Sequence, residues 1–169
     1  FCDWYVEIAK TRVYGGEGTD KATAQWVLKH VLDNGLKMLH PFMPFITEEI
    51  WQKLEIDEPT IMLSDFPKED KALINGDSEK EFDYLKEIIS AIRNIRGEAN
   101  VSPSKKIEVI FKTADENARN ILQNNAKILD KLANVEKYEF NVEIPKLVGF
   151  RLVDTTEIFV PLAELIDLD

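Results

Sequence analysis

The sequence predicts a mostly α protein: a helical bundle over residues 1–103, then a small α+β unit over residues 104–169 in the order β-α-β-β-β. Apolar residues recur at helical spacing through four segments before residue 100, and from Ile107 the apolar period drops from 3.6 to 2. Prolines and glycines stand between the periodic segments, where they stop helices and open turns.

Phe1, Trp4, Tyr5 and Ile8 fall at i, i+3, i+4 and i+7, so the first helix runs from the start to about Tyr14 and breaks at Gly15-Gly16-Glu17-Gly18. Thr19 or Asp20 is the expected cap of a second helix, whose stripe is Ala24, Val27, Leu28, Val31, Leu32, Gly35, Leu36 and Leu39. Pro41 ends it, because the residue before a proline is pushed out of the helical region. Pro44 suits the first turn of a third helix carrying Phe45, Ile46, Ile50, Trp51 and Leu54. Residues 55–77 read as an acidic connector. Ser78 and Glu81 fit a capping box before a fourth helix with Phe82, Leu85, Ile88, Ile89, Ile92 and Ile95, which ends between Gly97 and Pro103.

Beyond that point Ile107, Val109 and Phe111 alternate as a strand does, and Asn117–Asn134 return to helical spacing. Tyr138, Phe140 and Val142 alternate again. Val148–Val153 and Ile158–Leu162 flank Asp154-Thr155-Thr156-Glu157 as a hairpin, and Pro161–Asp169 begins another amphipathic segment. Both ends lie inside periodic segments, so the chain is expected to be part of something longer.

Composition limits what such a chain can do. Its 169 residues are 44% hydrophobic and 31% charged, ordinary for a globular domain. A single cysteine excludes an internal disulfide and points to a reducing, cytoplasmic setting; no apolar run reaches the ~20 residues of a membrane span. The formal net charge is -10, which opposes indiscriminate nucleic-acid binding. Segment by segment, residues 54–87 hold 11 acidic and 4 basic residues and read as solvated surface, whereas residues 88–106 hold 4 basic and 1 acidic. Any nucleic-acid contact is therefore local.

No catalytic or metal-binding constellation emerges. The Gly15–Gly18 run follows a helix and lacks the strand and Lys-Ser/Thr partner of a phosphate loop. Cys2, His30 and His40 lack metal-ligand spacing. Glu48 and Glu49 diverge by ~100° on a helix and cannot act as a pair; they read as first-turn acids facing the helix dipole. His40 reads as a helix-end residue.

The string His40-Pro41-Phe42-Met43-Pro44-Phe45-Ile46-Thr47-Glu48-Glu49-Ile50-Trp51 resembles the helix-turn-helix signature in the anticodon-binding domains of the class I aminoacyl-tRNA synthetases for valine, isoleucine and leucine. Phe1-Cys2-Asp3-Trp4-Tyr5 and Ile92-Arg93-Asn94-Ile95-Arg96-Gly97-Glu98, with Val101-Ser102-Pro103-Ser104-Lys105 after it, are most similar to the valyl branch. In that family the small α/β unit leads to a C-terminal coiled-coil arm, which would begin near Leu162. The resemblance implies tRNA(Val) as partner, together with catalytic and editing domains elsewhere in the same chain. It also implies ATP and Mg as requirements of the parent enzyme but not of these residues, whose sequence holds neither of the family's ATP-handling signatures. Anticodon bases are unpaired, can be stacked on flat side chains, and are read along their edges. The candidate tRNA contacts are Glu7, Lys10, Thr11 and Arg12 on the first helix, Trp26 just off the stripe of the second, and Arg93, Arg96, Lys105 and Lys106 in the basic stretch. Trp4 and Trp51 lie on apolar stripes and read as core. The same region of an isoleucyl or leucyl enzyme, or a helical protein–protein interaction module with no RNA role, are the competing readings.

Overall fold

The computed structural model describes residues 1–102 and 104–163. Pro103 and the last part of the expected C-terminal amphipathic segment, residues 164–169, lie outside the described residues. Two compact units divide the chain, Phe1–Ile74 and Asn75–Asp169.

The first unit contains α1 (Tyr5–Gly15), α2 (Gly18–Leu39) and α3 (Pro44–Trp51), then three short 3-10 turns at Gln52–Leu54, Ile61–Leu63 and Lys71–Leu73. The α1–α2 break works through Gly18, whose φ of +60 is a left-handed conformation open to glycine at little cost. Glu17 is the cap residue of α2, without a side-chain cap bond, so neither Thr19 nor Asp20 serves. Pro44 opens α3 as expected, and α2 closes at Leu39 just before Pro41. Leu36, Trp51 and Ile61 form the buried cluster, with Leu54 and Ile56 packed against it. The connector is pinned by local caps: Thr60 Oγ1 accepts from the Met62 amide, and Asp70 from the Ala72 amide.

The second unit opens with α4 (Gly76–Glu98), continues with β1 (Ile107–Lys112), α5 (Glu116–Asn124), α6 (Ala126–Ala133) and β2 (Val135–Phe140), and ends with the hairpin β3 (Val148–Val153) and β4 (Thr156–Pro161). Asn75, not Ser78, caps α4 by accepting from the Asp77 and Ser78 amides. The single helix expected over 117–134 is two, broken at Asn125. The sheet order is β2-β1-β4-β3, with β1 parallel to β2 and antiparallel to β4. The parallel pair is what the intervening helices permit, since parallel neighbours need a crossover.

The compact division falls at Ile74/Asn75, whereas the sequence placed a boundary near 103. The apolar face of α4 explains the difference. Leu85, Ile88, Ile89, Ile92 and Ile95 are buried, and the helix lies against β3, β4 and α6. Gly149 on β3 allows this approach: a Cβ there would collide with the Ile95 side chain. No helix among the described residues is long and apolar enough to cross a membrane.

Candidate functional site

On α1 the candidate residues are engaged locally. Lys10 pairs with Glu7 at 2.5 Å, one turn away, and the Thr11 hydroxyl donates to the Ile8 carbonyl at 2.7 Å. Arg12 reaches across the glycine break, its Nε donating to Asp20 Oδ1 at 2.7 Å. It thereby ties the end of α1 to the first turn of α2. The two ion pairs lie on the surface, where such contacts contribute ~0–1 kcal/mol, so a phosphate can displace them at little cost.

Of the three tryptophans, Trp51 is 1% exposed and Trp26 is 55% exposed. Trp51 is core, as its stripe position predicts, and its indole N–H donates to Asp33 Oδ1 at 2.7 Å. Trp26 projects from α2 and stacks on His30, ring centroids 4.8 Å apart and planes 10° apart. Asn34 Nδ2 donates both to His30 Nε2 at 3.1 Å and to the His30 carbonyl at 3.0 Å. Lys29, on the same side of the helix, donates to the Glu55 carbonyl at 3.3 Å. His30, Asn34 and Lys29 were not among the sequence candidates. Their i+4, i+8 and i+3 offsets from Trp26 were the signal that could have found them.

The basic stretch divides in two. Arg93 and Arg96 share a face of α4, and both turn to the C-terminal end of α6. Arg93 Nε donates to the Leu132 carbonyl at 2.8 Å. Arg96, only 6% exposed, donates through Nη1 to the carbonyls of Ala133 (3.1 Å) and Asn134 (3.4 Å), and through Nη2 to those of Ser102 and Lys105, both 2.8 Å. Two guanidinium groups thus satisfy the orphan carbonyls of a helix end, where the macrodipole favours positive charge. Arg96 is an interior pin rather than a surface contact: five donors in a rigid fork suit a ring of carbonyls. Lys105 and Lys106 are exposed on the loop that Arg96 holds, with Lys106 Nζ 3.6 Å from Asp130.

The His-Pro corner is mainly architectural. Thr47 is fully buried and its hydroxyl donates to the Met43 carbonyl at 2.7 Å, so it accepts from His40 Nδ1–H, also at 2.7 Å. That bond fixes the turn between α2 and α3. Glu48 lies beyond the first turn of α3, not in it, and holds the connector. It accepts from Gln52 Nε2 (2.6 Å), the Thr60 hydroxyl (2.8 Å) and the Ile61 amide (3.3 Å). Glu49 pairs instead with Lys53 at 3.1 Å. A cleft of about 470 Å³ beside the corner is lined by His40, Phe45, Glu48, Glu49, Gln52 and Met62 among others, with no lysine or arginine, so it does not suit a phosphate.

The Gln52 amide, aided by Thr60, Ile61 and the more distant His40, holds the Glu48 carboxyl below the usual glutamate range despite an opposing effect of burial. A carboxyl depressed in the folded state stabilises above its unfolded pKa, and that contribution is lost as pH falls through the lower folded value. Hydrogen exchange checks this. The Ile61 amide is expected to stay protected through the ordinary glutamate range and to open only below it, and in Glu48→Ala to exchange faster at neutral pH as well.

Among the described residues no group of three or more His, Cys, Asp and Glu side chains is placed to hold a metal ion. All eleven acidic residues of the 54–87 segment are exposed, as their composition predicts.

The sequence profile described as anticodon-binding domain of tRNA ligase matches residues 1–111. Valine–tRNA ligases of several bacteria are similar over nearly the whole chain. The enzyme of Fusobacterium nucleatum is 42% identical over 99% of this chain, and that of Listeria innocua 40% identical over all of it. That of Carboxydothermus hydrogenoformans is 44% identical over all of it. In each case the match spans only 19% of the relative's length. With α1 through α4 and nearly all of β1 inside the matched region, the chain belongs to the family of anticodon-binding domains of tRNA ligases.

Proposed function

We propose that this chain is the tRNA anticodon-binding portion of a cytoplasmic valine–tRNA ligase, positioning tRNA(Val) for aminoacylation by catalytic residues outside the matched fifth of its relatives. The observation that carries this reading is similarity to valine–tRNA ligases along the entire chain, through both units and not only the shared helical signature. ATP and Mg belong, in this reading, to the longer enzyme. Exposed Leu32, Leu39, Phe42, Phe45 and Ile46 on α2, α3 and the corner between them support a further partner, the remaining domains of the same protein, because contiguous apolar surface marks an interaction site.

The contacts to tRNA are drawn from Lys10, Arg12 and Trp26 in the first unit and Arg93, Lys105 and Lys106 in the second, with Glu7 and Thr11 beside the basic side chains of α1. Arg96 serves by shaping the loop. Cationic side chains neutralise phosphates, so affinity falls as salt rises. The test is fluorescence anisotropy of labelled anticodon stem-loops, carrying the valine anticodon or a substituted one, titrated with the 169-residue chain at two salt concentrations. Several-fold tighter, salt-sensitive binding of the valine form is expected. Equal binding of both overturns base reading by these residues, and no binding overturns the RNA role.

A further inference from the structure

We propose that Trp26, backed by His30 and flanked by Lys29, is a stacking platform for one unpaired base of the bound RNA; the proposal rests on the anticodon-binding reading and names the ligand of one of its contacts. On an α-helix, residues at i, i+3 and i+4 share a face, and along this one the contacts to the rest of the unit begin beyond Trp26, at Lys29 with the Glu55 carbonyl and at Asp33 with Trp51. Core packing therefore does not account for an indole 55% exposed there. One face of the indole is covered by the His30 ring, and the pair is nearly parallel. More than half of the residue's surface remains exposed, enough to receive a flat partner.

The backing ring is fixed. An amide nitrogen only donates, so the bond from Asn34 Nδ2 makes His30 Nε2 an acceptor and puts the imidazole proton on Nδ1. The same amide group holds the His30 carbonyl, so the imidazole is held before any ligand arrives. A platform built in advance has less ordering to do on binding. Lys29 supplies charge beside it. It donates to a neutral carbonyl, and no carboxylate among the described residues forms an ion pair with it, so a phosphate following the stacked base finds a cation in reach. Asp33, one turn on from Lys29, has both oxygens engaged, one by Trp51 and the other by Lys37. A flat exposed π face, a fixed second ring and an uncompensated cation fit a nucleobase with its phosphate better than an apolar peptide, which would gain nothing from Lys29.

The experiment is anisotropy of labelled valine anticodon stem-loop with the 169-residue chain and with Trp26→Phe and Trp26→Ala. It is repeated on stem-loops carrying an abasic site at each loop position in turn. Trp26→Ala is expected to weaken binding about tenfold, with Trp26→Phe keeping most of the affinity. At one loop position the abasic RNA loses the same factor, and Trp26→Ala adds no further loss on that RNA. Circular dichroism melting should be unchanged, because the indole is exposed. Parent-like binding by Trp26→Ala, or an equal added loss on every abasic RNA, overturns the platform. If the parent discriminates anticodons while Trp26→Ala matches it, the platform alone fails. If the parent binds no RNA, the anticodon-binding reading fails with it.

Discussion

Arg96→Ala is expected to destabilise the second unit by ~4 kcal/mol, read as a lowered urea midpoint. The guanidinium meets four carbonyls from two places in the chain, Ala133 and Asn134 after α6, and Ser102 and Lys105 in the loop after α4. Its removal strands buried acceptors, each costing ~1–3 kcal/mol unless water enters, and leaves the volume of the side chain empty. The backbone it holds is itself unusual. Asn134 sits at a φ of +55 as the left-handed end of α6, its carbonyl accepts from the Ile107 amide, and its side chain donates to the Lys105 carbonyl. So the loop, the helix end and the first strand pair are one joint. Arg96→Lys keeps the charge but has a single nitrogen to divide among separated carbonyls, and should recover about half the loss. Arg93→Ala, on an exposed residue whose Nε donates to the Leu132 carbonyl, should cost ~1 kcal/mol or less. An Arg96→Ala variant as stable as Arg93→Ala would mean that water replaces the guanidinium, and that the joint is held by Asn134 alone.

This pin shows where sequence reading stops. Arg93 and Arg96 at i and i+3 were legible as a shared face, and a shared basic face reads naturally as solvent or phosphate contact. What turns the face inward is a pairing 37 residues distant, set when α6 ends beside α4. Periodicity identifies a stripe but not its partner. For the same reason α4 was legible as a helix while its membership was not: Leu85, Ile88, Ile89, Ile92 and Ile95 would serve a bundle as well as a sheet, and the space left by Gly149 decides for the sheet. The local features read well. Pro41 and Pro44 bracket the corner, and the drop to period 2 marks β1. Caps read less well, since Asn75 and Ser78 both offer the right chemistry and only the helix's true first turn chooses between them.

The candidate site follows the same division. Trp26 was singled out because it falls off the apolar stripe of its helix. The ring behind it was overlooked because His30 was weighed only as a metal ligand. Glu48 was read through the helix dipole, a local effect, whereas its partners Thr60 and Ile61 belong to a connector whose path no spacing encodes.

Trp51→Ala should be the most damaging single change in the first unit, ~3–5 kcal/mol and enough to unfold it. The buried side chains there are few, Ile8, Ala9, Ala24, Leu36, Thr47, Trp51 and Ile61, and the indole is the largest of them. It spans the cluster formed with Leu36 and Ile61, while its N–H reaches Asp33. Two contributions are therefore lost together, and Trp51→Phe separates them. Phenylalanine keeps much of the packing but leaves Asp33 Oδ1 without its donor. The Lys37 ammonium, 3.0 Å from the other oxygen, keeps the carboxylate charge answered, so ~1–2 kcal/mol is expected. Asp33→Asn in the Trp51→Phe background should then cost less than in the parent, because the donor it would have answered is already gone. Hydrogen exchange locates the damage. In Trp51→Ala the amides of α2 and α3 lose protection, while those of Ile88, Ile92, Val109 and Phe111, buried in a different core, keep theirs. Equal loss in both sets would mean that the two units fold as one cooperative body, and that the indole's stabilisation is shared by the sheet.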